Sequence, residues 1–319
     1  MTYLKFSFST SASKVYRSIQ FANIVSIHDM VTGRVNTDAP IFMRKYFKAI
    51  TQIASAFLTE PRSIQSIIRT LPAINRGYVF ARDWQPNISP AETGFDTAAL
   101  EATENPLRAY FENHKTGRGI WKWEHYFDVY HRHFRKFVGR EVNVLEIGIY
   151  SGGSLEMWKK YFGPRCKVYG VDIEEACKVY EEEDVRVFIG DQSDRLFWRR
   201  FKQEVPTLDI VIDDGKHAPE HQIATLEEIL PHLRPGGVYL CEDVHGTHHH
   251  FAAYISGLVS HLHSRLGKPG PSSAATPTEF QRAVNSIHSY PFVAVIERSE
   301  TPIQELVAPK HGTEWQPFL

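Results

Sequence analysis

The stretch Val144-Leu-Glu-Ile-Gly-Ile-Tyr-Ser-Gly-Gly-Ser-Leu-Glu-Met-Trp158 decides how the chain folds. It completes a short apolar run, 142–147, of the kind that forms a strand buried on both faces. Gly148, Gly152 and Gly153 come next, and a helical apolar pattern over 155–162 follows them. A strand, a glycine turn and a helix in that order let the backbone approach a ligand closely.

The same alternation continues outward. Strands are expected at 167–171, 185–189, 208–212 and 238–241, with helices at 194–203 and 220–233. Two last strands, 285–288 and 292–297, follow a long irregular insertion, and 105–138 reads as a polar and aromatic helix region. Strands separated by helices form a parallel sheet covered on both faces, which binds ligands at the carboxyl ends of its strands. Acidic residues stand at those ends: Asp172, Asp191, Asp213 with Asp214, and Glu242 with Asp243.

The chain has 319 residues, 42% hydrophobic and 23% charged, which is a globular composition with ample core material. No apolar run approaches the ~18 residues of a membrane span. A net charge of −1 argues against a nucleic-acid partner. Three cysteines without a CxxC pair form neither a disulfide framework nor a zinc cluster, and fit a cytoplasmic, reducing compartment. Residues 1–80 hold ten Lys and Arg against three Asp and Glu. Helical stripes at 43–58 and from Ile64 to Leu71 make this a basic, helical N-terminal extension, joined by a linker over 83–103. The expected division is 1–104 and 105–319. The arm either covers the catalytic domain or a seam between two copies, or lies on a membrane surface. Its acid-free first twenty residues also resemble a mitochondrial presequence, the alternative to a cytoplasmic location.

Two constellations carry chemistry. Glu146 precedes the glycines, Asp172 is placed to accept ribose hydroxyls, and Asp191 lies near an adenine edge. A nicotinamide dinucleotide would want GxGxxG, whereas this turn reads GIYSGG. Asp214, Glu242 and Asp243 would repel one another at the tips of neighbouring strands unless a cation lay between them. Oxygen ligands suit magnesium. His217, three residues after Asp214, is placed to take a proton. The run from His245 to His250 reads as a solvated loop beside the site, or as a substrate contact or softer metal site. The turn-rich 267–277 is a candidate lid.

The opening stretch, together with Val-Tyr-Gly-Val-Asp172, Gly190-Asp-Gln-Ser-Asp194, Ile212-Asp-Asp-Gly-Lys-His217 and Glu242-Asp243, resembles the class I S-adenosylmethionine-dependent methyltransferases. More narrowly it is similar to the metal-dependent sugar O-methyltransferases of macrolide and polyketide tailoring, over roughly residues 110–298. The resemblance implies a Rossmann-like α/β sheet of seven strands, mostly parallel with an antiparallel last hairpin. It implies that Glu146 and Gly148 meet the methionine end of the cofactor, Asp172 the ribose, and Asp191 and Gln192 the adenine. Ser151 and Asp213 complete the cofactor-binding set. Asp214, Glu242 and Asp243 would hold Mg2+, and His217 would be the base. The implied reaction is methyl transfer to a hydroxyl of a sugar or glycosylated small molecule. A catechol-type enzyme acting on an aromatic diol and a non-catalytic cofactor-binding partner are the alternatives.

Overall fold

The computed structural model describes residues 61–83, 105–246, 249–264 and 274–313. The chain divides into two units, Met1–Phe95 and Asp96–Leu319. Of the first, one helix is described, α1 (Pro61–Arg82), which carries the second stripe well beyond Leu71. The stripe at 43–58, residues 84–103 of the linker and residues 267–273 of the candidate lid lie outside the described residues. Among the described residues, no helix is long and apolar enough to cross a membrane.

In the second unit, α2 (Pro106–Asn113) starts where the Asn105 side chain accepts N–H bonds from Leu107 and Arg108, with Pro106 at the first helical position. The expected helix region 105–138 is interrupted: α3 (Tyr126–Phe134) begins only after an irregular segment that contains Gly117 and Gly119. Then come β1 (Val142–Ile147), α4 (Gly153–Phe162), β2 (Cys166–Asp172), β3 (Val185–Ile189), α5 (Arg195–Glu204), β4 (Leu208–Asp213), α6 (Pro219–Ile229) and β5 (Leu233–Cys241). α7 (His250–Leu262) precedes the short β6 (Ala274–Ala275), α8 (Glu279–Ala283), β7 (Val284–Tyr290), β8 (Val293–Arg298) and β9 (Leu306–Val307). The helix expected over 220–233 stops at Ile229, where Pro231 turns the chain through one 3-10 turn.

The main sheet has the order β3-β2-β1-β4-β5-β8-β7, parallel except at β8, and β6 pairs with β9 separately. Alternate β1 residues face opposite layers. Val142 and Val144 pack with Tyr130, Phe134, Trp158 and Phe162 of α3 and α4. Leu145 and Ile147 pack with Trp198, Phe201, Leu226, Ile229 and Phe251 of α5, α6 and α7. The chain builds β2 and β3 on one side of β1 and β4 and β5 on the other. The carboxyl edge between β1 and β4 is therefore the switch point where such sheets bind ligands. Register sharpens this: Ile147, Asp213 and Cys241 stand in one row. The residues that follow them, Gly148, Asp214 and Glu242, leave the sheet side by side.

Candidate active site

Above that row lies a cleft of about 1410 Å³. A pocket for one small molecule is typically ~300–1,000 Å³, so this cleft has room for two. Gly148, Tyr150, Ser151 and Ser154 form one wall, Asp172, Asp191 and Gln192 a second, and Asp214, His217, Glu242 and Asp243 a third. Gly148 has φ 82°, and a Cβ there would lie 2.1 Å from the Asp214 carbonyl oxygen. Only glycine lets the two strand tips meet.

Among the described residues, four that are not glycine have left-handed backbone: Tyr150, His217, Asp243 and Phe292. The first three line the cleft, and Phe292 packs edge-on against Trp123 and His245 at its mouth. Such conformations cost free energy and gather where a side chain must be aimed.

The cofactor wall departs from expectation in part. The Asp172 carboxylate sits on the rim and accepts the Tyr150 and Glu174 N–H groups at 3.1 and 3.0 Å, which fixes both its oxygens in place. One Asp191 oxygen accepts from the Ser193 N–H and hydroxyl, and these bonds hold its carboxyl below the ordinary aspartate range. Gln192 reaches the cleft wall, but its amide is used internally. It donates to Asp213 and Thr225 and accepts from the Lys216 N–H. Asp213 is a correction: it is fully buried, bonded by Gln192 and the Tyr239 hydroxyl, and burial pushes its carboxyl up to about 6. It braces β3, β4 and β5 against one another behind the wall. Glu146 lies buried beneath the glycine turn, where one oxygen accepts the Ser154 hydroxyl at 2.7 Å.

The carboxylate cluster holds a residue that spacing did not reveal. Lys122, 3% exposed, extends from the segment between α2 and α3 into the cluster. Its Nζ lies 2.6 Å from Asp214 Oδ2, 3.1 and 3.2 Å from the two Glu242 oxygens, and 3.4 Å from Glu146 Oε1. Burial opposes its charge, but Asp214, Glu242 and Glu146 outweigh burial and hold the ammonium well above the ordinary lysine value. The positive charge required among these acids is therefore already present in the chain. Glu242 is 1% exposed and also accepts the Tyr130 hydroxyl at 2.6 Å. Burial pushes its carboxyl up, with Asp214 adding to the rise, while Lys122 and Tyr130 pull it back.

Asp243 is held from the same side: one oxygen accepts the Tyr126 hydroxyl at 2.8 Å and the Trp123 indole N–H at 3.0 Å. Its other oxygen faces His217 Nε2 at 3.5 Å, and Asp214 Oδ1 lies 4.0 Å from that nitrogen. Asp214, His217 and Asp243 thus offer three ligand atoms within 4.8 Å of one another. The set expected from sequence had Glu242 in place of His217. Here Glu242 also lines the cleft, with its carboxylate bonded by Lys122 and Tyr130. The side chains missing from that expectation, Lys122, Trp123 and Tyr126, sit in one five-residue stretch whose aromatic density was its only signal. Trp121 and Trp123 line the mouth, 86% and 50% exposed.

Comparison with known proteins agrees with this architecture. Residues 145–244 match a family model described as a methyltransferase domain. The chain is 34% identical over 206 residues to the 8-demethyl-8-alpha-L-rhamnosyl tetracenomycin-C 2'-O-methyltransferase of Streptomyces olivaceus, covering 57% of this chain and 52% of that protein. It is 43% identical over 122 residues to the mycinamicin VI 2''-O-methyltransferase of Micromonospora griseorubida, covering 36% and 30%. It is also similar to the solved MycE methyltransferase from the mycinamycin biosynthetic pathway in complex with Mg, SAH and mycinamycin VI. That match has a TM-score of 0.50 and 29% identity, covering 65% of this chain and 59% of that one. The chain spans about half or less of the length of the two curated relatives. Residues 145–244 thus match a methyltransferase domain, and in sheet order, glycine turn and sequence the chain is similar to sugar O-methyltransferases.

Proposed function

We propose that the chain transfers a methyl group from S-adenosylmethionine to a hydroxyl of a glycosylated small molecule, with a divalent cation as cofactor. The observation that carries this reading is one cleft, roomy enough for two molecules, lined by a glycine turn and Asp172 together with the cluster of Asp214, His217 and Asp243. The relatives named above support the cofactor, the cation and the sugar acceptor.

The donor set fits a hard divalent ion: Asp214 Oδ1 and Asp243 Oδ2 point into the cleft, and their second oxygens are fixed by Lys122 and by Trp123 with Tyr126. Asp214 and Asp243 would hold it, with His217 beside them. When bound, such an ion lowers the pKa of a coordinated hydroxyl. His217 Nε2 takes the hydroxyl proton. The oxygen attacks the methyl carbon in line with the C–S bond, that bond breaks, and its electron pair stays on the now neutral sulfur. The protein's share is orientation and a deprotonated nucleophile. Trp121 and Trp123 offer flat apolar faces at the mouth, suited to the C–H face of a sugar ring.

Calorimetry should detect S-adenosylmethionine binding at micromolar affinity, weakened strongly by Asp172→Ala. Binding of a nicotinamide dinucleotide instead, with none of S-adenosylmethionine, would overturn the reading.

A further inference from the structure

Two features of chain geometry gather aromatic rings at the mouth of the cleft. In the irregular stretch before α3, exposure alternates: Trp121 is 86% exposed, Lys122 3% and Trp123 50%. This is the alternation of extended chain, so Lys122 reaching inward to the acids turns both indoles outward. Trp123 is anchored, because its N–H donates to Asp243 and its ring meets Phe292 edge-on at 5.5 Å. Trp121 has no ring or hydrogen-bond partner among the described residues, although it lines the cleft.

The second feature is the turn between β7 and β8. Tyr290 pairs with Val293, so Pro291 and Phe292 alone make it. Proline sets the first φ, and Phe292 follows at φ 63°, the place in a type II turn that favours glycine. The Pro291 carbonyl accepts from His125 Nε2, and the Phe292 carbonyl from the Val244 N–H, both at 2.9 Å, which clamps the turn. Glycine would hold it without strain. The chain instead places a phenyl ring there, 38% exposed, against Trp123 and, at 5.2 Å, His245.

Charge narrows what this mouth can hold. Among the described residues lining the cleft, seven are Asp or Glu, and only Lys122 and Lys216 are Lys or Arg. A sugar nucleotide would bring its phosphates to a wall of acids, whereas an uncharged ring with an apolar face finds an indole.

We propose that Trp121 is a specificity-determining residue that stacks on an apolar ring of the acceptor's aglycone, and that Phe292 is a positioning residue that braces Trp123 and His245 beside it. The inference rests on the proposed methylation of a glycoside and deepens it. Trp123, tied to Asp243, stands by the sugar that reacts, and Trp121, two residues outward, takes the ring beyond it. The aglycone then holds the sugar hydroxyls toward Asp214, His217 and Asp243.

The test measures methyl transfer from labelled S-adenosylmethionine in Mg2+ to a naphthyl glycoside, to the methyl glycoside of the same sugar and to that sugar's nucleoside diphosphate. The wild type should take the naphthyl glycoside with a KM at least about tenfold below that of the methyl glycoside and a similar kcat, the gain from covering an indole face with a ring. Trp121→Ala should erase that difference while kcat, melting temperature and the KM of the methyl glycoside stay nearly unchanged. Trp121→Phe should restore most of it. Phe292→Gly removes the ring but gives the turn the residue it favours. It should melt no lower than Phe292→Ala yet lose several-fold in KM for the naphthyl glycoside, and Phe292→Tyr should keep the wild-type value. An unchanged KM ratio in Trp121→Ala overturns the assignment, as does an equal loss for both glycosides or a preference for the nucleoside diphosphate sugar. A wild-type KM in Phe292→Gly overturns the bracing role. Methylation of both glycosides with no preference for the naphthyl compound refutes this inference and leaves the proposed function standing. Methylation of none of the three by a protein that binds S-adenosylmethionine refutes the proposed function, and this inference with it.

Discussion

Replacing Gly148 by alanine tests whether the close meeting of β1 and β4 holds the site together. A Cβ at Gly148 would stand 2.1 Å from the Asp214 carbonyl oxygen and 2.9 Å from Gly215 Cα, whereas ordinary contact begins at 3.4 Å. The strand tips must therefore part by about 1.3 Å, the difference between the two distances. They are also tied by Asp214 N–H to the Ile147 carbonyl at 3.0 Å, so the shift strains a backbone bond. Gly139 is the control: its φ is 75°, and an added Cβ meets nothing within 4 Å. Gly139→Ala isolates the left-handed backbone cost of about 1–2 kcal/mol. Gly148→Ala adds overpacking of about 1–3 kcal/mol, for roughly 2–5 in total. For a domain of this size, that lowers Tm by roughly 4–20 °C. Misplacing Asp214 by ~1 Å should also slow turnover about 10²-fold. Chemical denaturation and turnover assays read the two effects. If Gly148→Ala is no less stable than Gly139→Ala and turns over normally, the close approach does not organise the site.

Other expectations follow from the same geometry. His217→Ala should lower kcat by about 10²–10⁴-fold with S-adenosylmethionine affinity nearly unchanged; turnover within a few-fold of wild type would assign the proton to another acceptor. EDTA should abolish turnover and Mg2+ restore it, and full activity in chelator would rule out the cation. Tyr130→Phe removes a hydrogen bond to a buried carboxylate and should destabilise by about 1.5–3 kcal/mol in denaturant titrations; an unchanged midpoint would show that bond to be dispensable. Acid should loosen the β7–β8 hairpin from α3. The hydrogen bond from His133, with neighbouring charges, holds the Glu297 carboxyl below its ordinary value, and burial beside His133 lowers His288. The folded state thus binds fewer protons than the unfolded at both groups. Stability falls first as pH drops below about 6.5, through His288, and again below about 4.3, through Glu297. Glu297→Gln should remove the second loss, and an unaltered acid limb in that variant would refute the assignment.

Strands β1 to β5 are legible because each is a short apolar run ended by acid or glycine, and the register of β1, β4 and β5 follows from those ends. Asp172, Asp191, Asp214 and Asp243 were legible for the same reason, and all line the cleft. Asp213 was not distinguishable from Asp214 by position, since alternation along a strand decides which of two consecutive side chains turns inward, and here Tyr239 and Gln192 hold the first. Lys122 left no signal, because it meets Glu242 across 120 positions and a lone lysine has no period. α7 is hidden in the sequence pattern, since its leading histidines mask the Phe251, Ile255, Leu258 and Leu262 stripe that packs on the sheet.

The most direct measurement is mass spectrometry of products after incubation with isotopically labelled S-adenosylmethionine, Mg2+, a glycoside with neighbouring sugar hydroxyls and, separately, a catechol. The expected result is one labelled methyl group on a sugar oxygen of the glycoside, lost in Asp214→Ala and Asp243→Ala variants that remain folded. Methylation of the catechol alone, or of neither compound by a protein that binds the cofactor, would contradict the account.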